Sequence, residues 1–241
     1  MIKLENLTLS VENNLTIFKN ANIEIPKNKI TVLVGLNGVG KTTLLKIIAG
    51  ILKPQNGKVI KKSKELFYLP QRIKYPKGIT LFEYIESSFY KKNWKWFLNS
   101  EEKQKIEETL ELLELSDKKD TFIENLSSGE LQKANIALGL VSDADTLLLD
   151  EPTSNMDLIN QIKVLDILKK LTNQGITCLV VLHDINLGAS YGDYFIGLTK
   201  SNVVIVKNRS EFFTPEILNK VYGIDFKVIN SDKDFHIQIF N

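Results

Sequence analysis

At 241 residues the chain is long enough to bury a full core in one or two domains. Its 43% hydrophobic and 25% charged residues are ordinary for a soluble globular protein, and a net charge of +2 gives no electrostatic case for nucleic acid. The single cysteine, Cys178, excludes an internal disulfide and fits a reducing compartment. It sits in the apolar run Thr177–Leu182, where a buried strand thiol is the expectation. The N-terminus has no signal-peptide pattern, and no apolar run approaches the ~18 residues of a membrane span, so a membrane role would run through a partner.

In chain order, Ile2 to Val11 alternates loosely, as an antiparallel strand with one buried face does. Asn13-Asn14 signals a turn. Leu15–Phe18 and Ala21–Ile25 predict two short strands, closed by Pro26. Ile30–Val34 is a continuous β-rich run, and Leu44–Ala49 a helical one closed by Gly50. Pro54–Gly57 predicts a turn, and Lys58–Ile60 and Leu66–Leu69 predict strands, the second ending at Pro70-Gln71. From about 72 to 140 the texture is helical. Thr80–Tyr90 and Glu101–Leu115 carry apolar residues at helical spacing, with Ser100 the expected N-cap of the second, and Ser127–Val141 predicts a third helix. The α/β pattern then resumes with strand Thr146–Leu149, helix Leu158–Leu171, strand Thr177–Leu182, helix Ile185–Tyr191 and strand Tyr194–Leu198. The tail mixes short strands with a helix over Pro215–Tyr222.

Two motifs carry chemistry. Gly35-Leu36-Asn37-Gly38-Val39-Gly40-Lys41-Thr42-Thr43 matches a phosphate-binding loop, and it lies between a predicted strand and a predicted helix. Glycines let backbone N–H groups point at phosphate oxygens, and the helix N-terminus adds partial positive charge. Lys41 can reach the β- and γ-phosphates of a nucleotide, and the Thr42 hydroxyl can bind Mg²⁺. The second motif is Leu147-Leu148-Leu149-Asp150-Glu151-Pro152. In a phosphate-loop fold such a strand end places Asp150 at Mg²⁺ and Glu151 at the attacking water.

Leu126-Ser127-Ser128-Gly129-Glu130, read alone, is a helix cap. Its place between the two motifs changes that. The ordered set of phosphate loop, Gln71, Leu-Ser-Ser-Gly-Glu, Leu-Leu-Leu-Asp-Glu-Pro, Ser154-Asn155-Met156-Asp157 and His183 resembles the ATP-binding cassette of ABC transporters over nearly the whole chain. The resemblance implies an α/β fold: a P-loop NTPase core of the ABC ATPase type with an antiparallel β subdomain and a helical signature subdomain. Residues 1–71 and 142–241 would form the core with the antiparallel part, and 72–141 the helical part. It implies an ATPase using ATP and Mg²⁺, with Glu151, His183, Gln71 and Lys41 catalytic and Thr42, Gln71 and Asp150 at the metal. Ser127 and Gly129 would bind the γ-phosphate held by a second copy, with Asp157 at the seam. The implied partners are that second copy, integral membrane permease subunits and, indirectly, a substrate-binding protein, with no nucleic acid. The implied place is the cytoplasmic face of the cell membrane.

Three departures stand out. Ser128 and Glu130 replace a glycine and a glutamine of the usual Leu-Ser-Gly-Gly-Gln. Val11 stands where an aromatic normally stacks on adenine; Phe18 is the nearby aromatic, with a core role expected. The stretch from Gly57 to Gln71 is short, so a trimmed antiparallel subdomain is expected. Within the family, His183–Asp193 and Val221–Phe226 look like the importer ATPases for iron–siderophore, haem and cobalamin. The competing readings are a non-transport ABC ATPase in translation or DNA maintenance, and a nucleotide-binding regulator with little turnover. Residues 72–98, rich in aromatics including Trp94, Trp96 and Phe97, are the expected permease-docking surface.

Overall fold

A computed structural model describes the chain apart from residues 12–14, 94–97, 201–203, 231–234 and 240–241. In chain order the elements are β1 (Ile2–Val11), β2 (Leu15–Ile25), β3 (Ile30–Val34), α1 (Lys41–Ala49), β4 (Asn56–Lys61), β5 (Leu66–Leu69), α2 (Leu81–Asn93), α3 (Ser100–Leu112) and α4 (Ser128–Val141). They continue with β6 (Thr146–Leu149), α5 (Leu158–Asn173), β7 (Thr177–Val181), α6 (Ile185–Tyr191), β8 (Tyr194–Leu198), β9 (Val204–Asn208), α7 (Arg209–Phe212), α8 (Pro215–Tyr222), β10 (Phe226–Asn230) and β11 (Phe235–Ile239).

The central sheet runs β5-β6-β7-β3-β8-β9, parallel from β5 to β8 with β9 returning antiparallel at the edge. β3, β6 and β7 are buried at every residue, which is why they read as unbroken apolar runs. Alternation divides each strand between two cores. Ile30, Val32, Leu147, Leu149, Cys178 and Val180 face the core built with α4, α5 and α6. Leu33, Leu148, Leu179 and Val181 face the core shared with α1 and the second sheet, whose order is β2-β1-β4. Burial in the first core pushes the Cys178 thiol up to about 12, as an inert strand cysteine requires.

Four expectations are corrected. β2 is one strand rather than two: Asn20, at φ 49, absorbs a bend, and the pairing with β1 shifts register at Leu7 and Leu9. Asn56 and Gly57 belong to β4 rather than to a turn. The N-cap of α3 is Asn99, not Ser100. Asn99 Oδ1 accepts from the Glu102 amide at 2.8 Å, and the Asn99 amide donates to Glu102 Oε2 at 2.9 Å, a reciprocal box that Ser100 is one residue too late to make. The tail holds a further short helix, α7, anchored by Phe212 and Phe213 against Phe195.

The helices of the insertion share the sheet's core. Leu81, Ile85, Ile106 and Leu110 join the cluster that contains Leu147 and Leu149. A Cβ at Gly139 would stand 2.9 Å from both Leu147 and Phe67, so α4 lies directly on β5 and β6. Tyr75, Phe82, Tyr84 and Phe89 also pack on this core. The Tyr84 hydroxyl donates to Asn135 Oδ1 at 2.9 Å, and Asn135 Nδ2 donates to the Tyr75 oxygen at 2.8 Å. Phe122, bridged to Thr80 and 47% exposed, is the exposed aromatic nearby. Trp94, Trp96 and Phe97 lie outside the described residues. Among the described residues, no helix is long and apolar enough to cross a membrane.

Candidate functional site

The phosphate-loop residues connect β3 to α1. Gly35 has φ 142, and a Cβ there would come within 2.5 Å of the Leu198 carbonyl oxygen, so the loop can leave β3 only through a glycine. Gly40, at φ 104, caps α1 with no side chain bonded to the helix end. The first amides of α1 therefore face outward without a side-chain acceptor, the arrangement that receives an anion. Lys41 is 6% exposed. Its Nζ donates to the carbonyls of Gly35 at 2.8 Å and Leu36 at 3.0 Å, so it straps the loop from inside. Burial lowers the Lys41 pKa, and the charges of Glu151 and Asp150 oppose that shift.

β6 delivers the two carboxylates to different environments. Asp150 is 2% exposed, and burial raises its pKa against a Thr42 hydroxyl that lowers it. Its Oδ2 accepts from the Tyr68 hydroxyl at 3.4 Å, while Oδ1 is buried with no hydrogen-bond partner. A buried carboxylate oxygen left open beside a hydroxyl suits a hard cation such as Mg²⁺. No group of three or more His, Cys, Asp or Glu side chains among the described residues could hold a metal alone. A cation here would complete its shell with phosphate oxygens and water.

Glu151 turns the chain at φ 53, an uncommon value for a non-glycine residue. Three side chains hold its carboxylate. Oε1 lies 2.7 Å from His183 Nε2, and Oε2 accepts from Ser154 Oγ at 2.9 Å and from Gln71 Nε2. Burial alone would raise the Glu151 pKa, but the bonds from His183, Ser154 and Gln71 hold it below the ordinary carboxylate value. A proton on His183 Nε2 would make this 2.7 Å contact a donation to the carboxylate. The loop after β7 presents His183, and Asp184 caps α6 just behind it. Asn186 ties that helix to the tail, accepting from the Ile237 amide at 2.9 Å and donating to its carbonyl at 3.3 Å.

The structure brings Asn37, Gly38, Gly40, Lys41, Thr42, Thr43, Gln71, Glu151 and His183 to one cleft of about 500 Å³, with Ile17. Sequence reasoning gave no site role to three neighbours of this cleft: Tyr68, Ile17 and Ser154, the last named only within the Ser154–Asp157 motif. Ser154 had a signal, being three residues after Glu151 in a turn closed by its own amide. Val11 ends β1, paired with Leu15, and its side chain lies outside what the structure describes. Phe18 is 1% exposed and fully in the core. Ser127, Gly129 and Asp157 do not line the cleft. They sit together at the starts of α4 and α5, where Asn160 donates to Asp157 at 2.8 Å and its Oδ1 lies 3.2 Å from a Cβ built on Gly129.

A parallel sheet with a phosphate loop at the carboxyl end of a central strand, facing two acidic residues on the next strand but one, defines a phosphate-loop nucleoside triphosphatase. Residues 18–154 match the family model described as ABC transporter. The chain is 36% identical to an iron(3+)-hydroxamate import ATP-binding protein of Bacillus subtilis, across 90% of this chain and 86% of that protein. It matches the fold of a metal-chelate type ABC transporter chain in an inward-facing conformation, with TM-score 0.89 and 25% identity over 99% and 96% of the two chains. A dimeric ATP-binding cassette in a post-hydrolysis state with ADP and Pi matches at TM-score 0.73 and 27% identity, over 87% and 99%. The chain belongs to the ABC transporter family, as an ATP-hydrolysing cassette subunit. These matches favour transport over a role in translation or DNA maintenance.

Proposed function

We propose that this subunit drives a membrane permease that imports an iron–siderophore or related metal-chelate complex, fed by a substrate-binding protein. Two copies would close around two ATP molecules at the inner face of the cell membrane. The similarity to import ATP-binding proteins supports the cargo class, and the dimeric cassette supports the closed pair. In each cleft the loop amides of residues 35–43 and Lys41 would hold the phosphates. Thr42 and Asp150, with Gln71, would hold Mg²⁺, which when bound neutralises charge on the transferring phosphoryl group. Glu151, kept ionised, would orient and polarise the attacking water. His183 would turn the same Nε2–H from Glu151 to the γ-phosphate, and Ser127, Gly129 and Asp157 would complete the site from the other copy. On this reading residues 72–141 act as the helical signature unit, and the surface around 72–98 meets the permease.

The observation that carries the reading is the Glu151 carboxylate, held by Gln71, Ser154 and His183 at the mouth of the phosphate loop. Glu151→Gln keeps the shape and removes the charge. ATP binding should persist, turnover should fall by on the order of a thousandfold, and an ATP-dependent dimer should accumulate. Near-normal steady-state turnover would remove Glu151 from the role. For the cargo, uptake of ferric hydroxamates by cells carrying the subunit with its permease, set against haem and cobalamin, discriminates among the chelates.

A further inference from the structure

Glu130 departs from the usual glutamine of the signature, and its carboxylate is seated on the N-terminus of α4. Oε2 accepts from the Ser127 amide at 2.8 Å and from the Ser127 hydroxyl at 2.8 Å. Oε1 faces Lys118 Nζ at 3.5 Å, and the Glu130 amide donates to Ser127 Oγ at 3.3 Å. An amide, a hydroxyl and an ammonium at a helix start are the donors a phosphate oxygen takes. The Ser127 hydroxyl has one proton, so it can serve Glu130 or a phosphate but not both. The bonds from Ser127, amide first, hold Glu130 below the ordinary carboxylate pKa, so it stays charged near neutral pH. A second carboxylate, Asp157, stands on the same face through Asn160.

Helix capping accounts for the hydrogen bonds but does not call for the charge. Glutamine completes the same reciprocal box as a neutral group. The two roles are therefore separable by substitution. We propose that Glu130 is an internal competitor for the nucleotide of the other copy: it occupies the Ser127 donors in the open chain and weakens closure by placing a carboxylate beside the arriving γ-phosphate. This rests on the reading of Ser127 as a contact made across the dimer. The consequence is a subunit that closes only at high ATP occupancy and reopens readily, because each composite site carries a like-charge contact beside Lys118.

The test measures ATP-dependent dimerisation against protein concentration at fixed Mg²⁺–ATP, in a Glu151→Gln background that stops hydrolysis. Adding Glu130→Gln should lower the dimer dissociation constant by on the order of tenfold, the effect of removing one partly screened like-charge contact. Nucleotide-free melting should fall slightly at most, through the lost charge at the helix start and the lost Lys118 pair, so tighter closure would not come from a more stable chain. Glu130→Ala removes both cap and charge; it should melt lower yet still dimerise more tightly than its parent. Equal or weaker dimerisation in both variants would overturn the competitor role while leaving the contact across the dimer intact. Ser127→Arg separates the two ideas. Loss of the dimer keeps the trans reading, and a dimer that survives it would overturn that reading and the competitor together.

Discussion

The cleft under the phosphate loop and the face at the starts of α4 and α5 are both built on helix N-termini, yet they are finished in opposite ways. α1 begins at Gly40, which has no side chain to offer, and its first amides face the cleft uncapped. α4 begins with a Ser127–Glu130 box, and α5 with Asp157 accepting from the Asn160 amide at 2.9 Å. Free helix ends attract anions, and capped ends have already taken one. On the proposed reading the cleft grips a nucleotide by itself, whereas the opposite face would exchange its own carboxylate contact for a phosphate. The division also follows the charges. Lys41 lies within the cleft, while Lys118 is the cation paired with Glu130 on the signature face. On that reading grip and closure would be separate events with separate sensitivities.

The largest expected effect tests whether the two regions meet only between copies. Lys41→Ala damages the cleft, and Ser127→Arg damages the capped face. Each homodimer then has two damaged sites and should show almost no turnover. In an equal mixture, a mixed pair has one doubly damaged site and one site made of intact halves. Activity should return towards about a quarter of wild type, the value for random pairing with one intact site in each mixed pair. If mixed pairs form, as crosslinking of differently tagged chains would show, and the mixture still shows no recovery, the two regions do not complement one another across the pair.

A smaller effect sharpens the chemistry on the cleft side. Ser154 donates to Glu151 and helps hold its pKa down. Ser154→Ala should raise that pKa. In the proposed role the competent form of Glu151 is the ionised one, so activity should fall as pH drops through its pKa. The acid limb of the pH–kcat profile should therefore move to higher pH, with the alkaline limb unmoved. At neutral pH the loss should be roughly twofold to tenfold, one hydrogen bond to a partly screened charge. A uniform drop at every pH, with no displaced limb, would assign Ser154 to turn geometry instead.

The cleft was more legible in sequence than the face opposite, for a physical reason. Strand β3, the glycines and helix α1 are contiguous, and each announces itself by local rules: burial run, tight turn, helix period. The same is true of Asp150 and Glu151 at the end of a four-residue apolar strand. What sequence did not give depends on contacts distant along the chain. Tyr68 reaches Asp150 from a neighbouring strand, and Asn186 holds a tail residue 51 positions away. The break expected after Phe18 failed because a single Asn20 can bend a strand that its partner then pairs through. The cap of α3 was misplaced by one residue because asparagine and serine both cap well, and only the reciprocal bond to Glu102 decides between Asn99 and Ser100. Among the aromatics after Gln71, helical spacing puts Tyr84 and Phe89 on a buried face, and they pack on the core. Asn135 is the polar partner of Tyr84 and Tyr75 there. Trp94 and Trp96, the expected exposed anchors, lie outside the described residues.

The smallest expected effect concerns the base. Ile17 and Phe18 are consecutive in β2, so they point to opposite sides of the strand. Ile17 lines the cleft beside Gly40, while Phe18 is buried behind it. The aromatic in this stretch thus faces away from the cleft, and the residue facing the cleft is aliphatic. An isoleucine covers apolar surface of any base but offers no ring face and no hydrogen bond to read an exocyclic group. Stacking on an aromatic would add ~0.5–1.5 kcal/mol, so its loss leaves little with which to prefer adenine. GTP should compete with ATP within roughly tenfold, given that 1.4 kcal/mol is a factor of ten. Ile17→Ala should weaken both nucleotides by the same factor, roughly twofold to tenfold for the lost apolar burial. Competition binding on the Glu151→Gln chain reads both numbers without hydrolysis. A preference for ATP well beyond tenfold, or an Ile17→Ala loss confined to one nucleotide, would mean that another side chain reads the base and that grip on this side of the molecule is more than phosphate recognition.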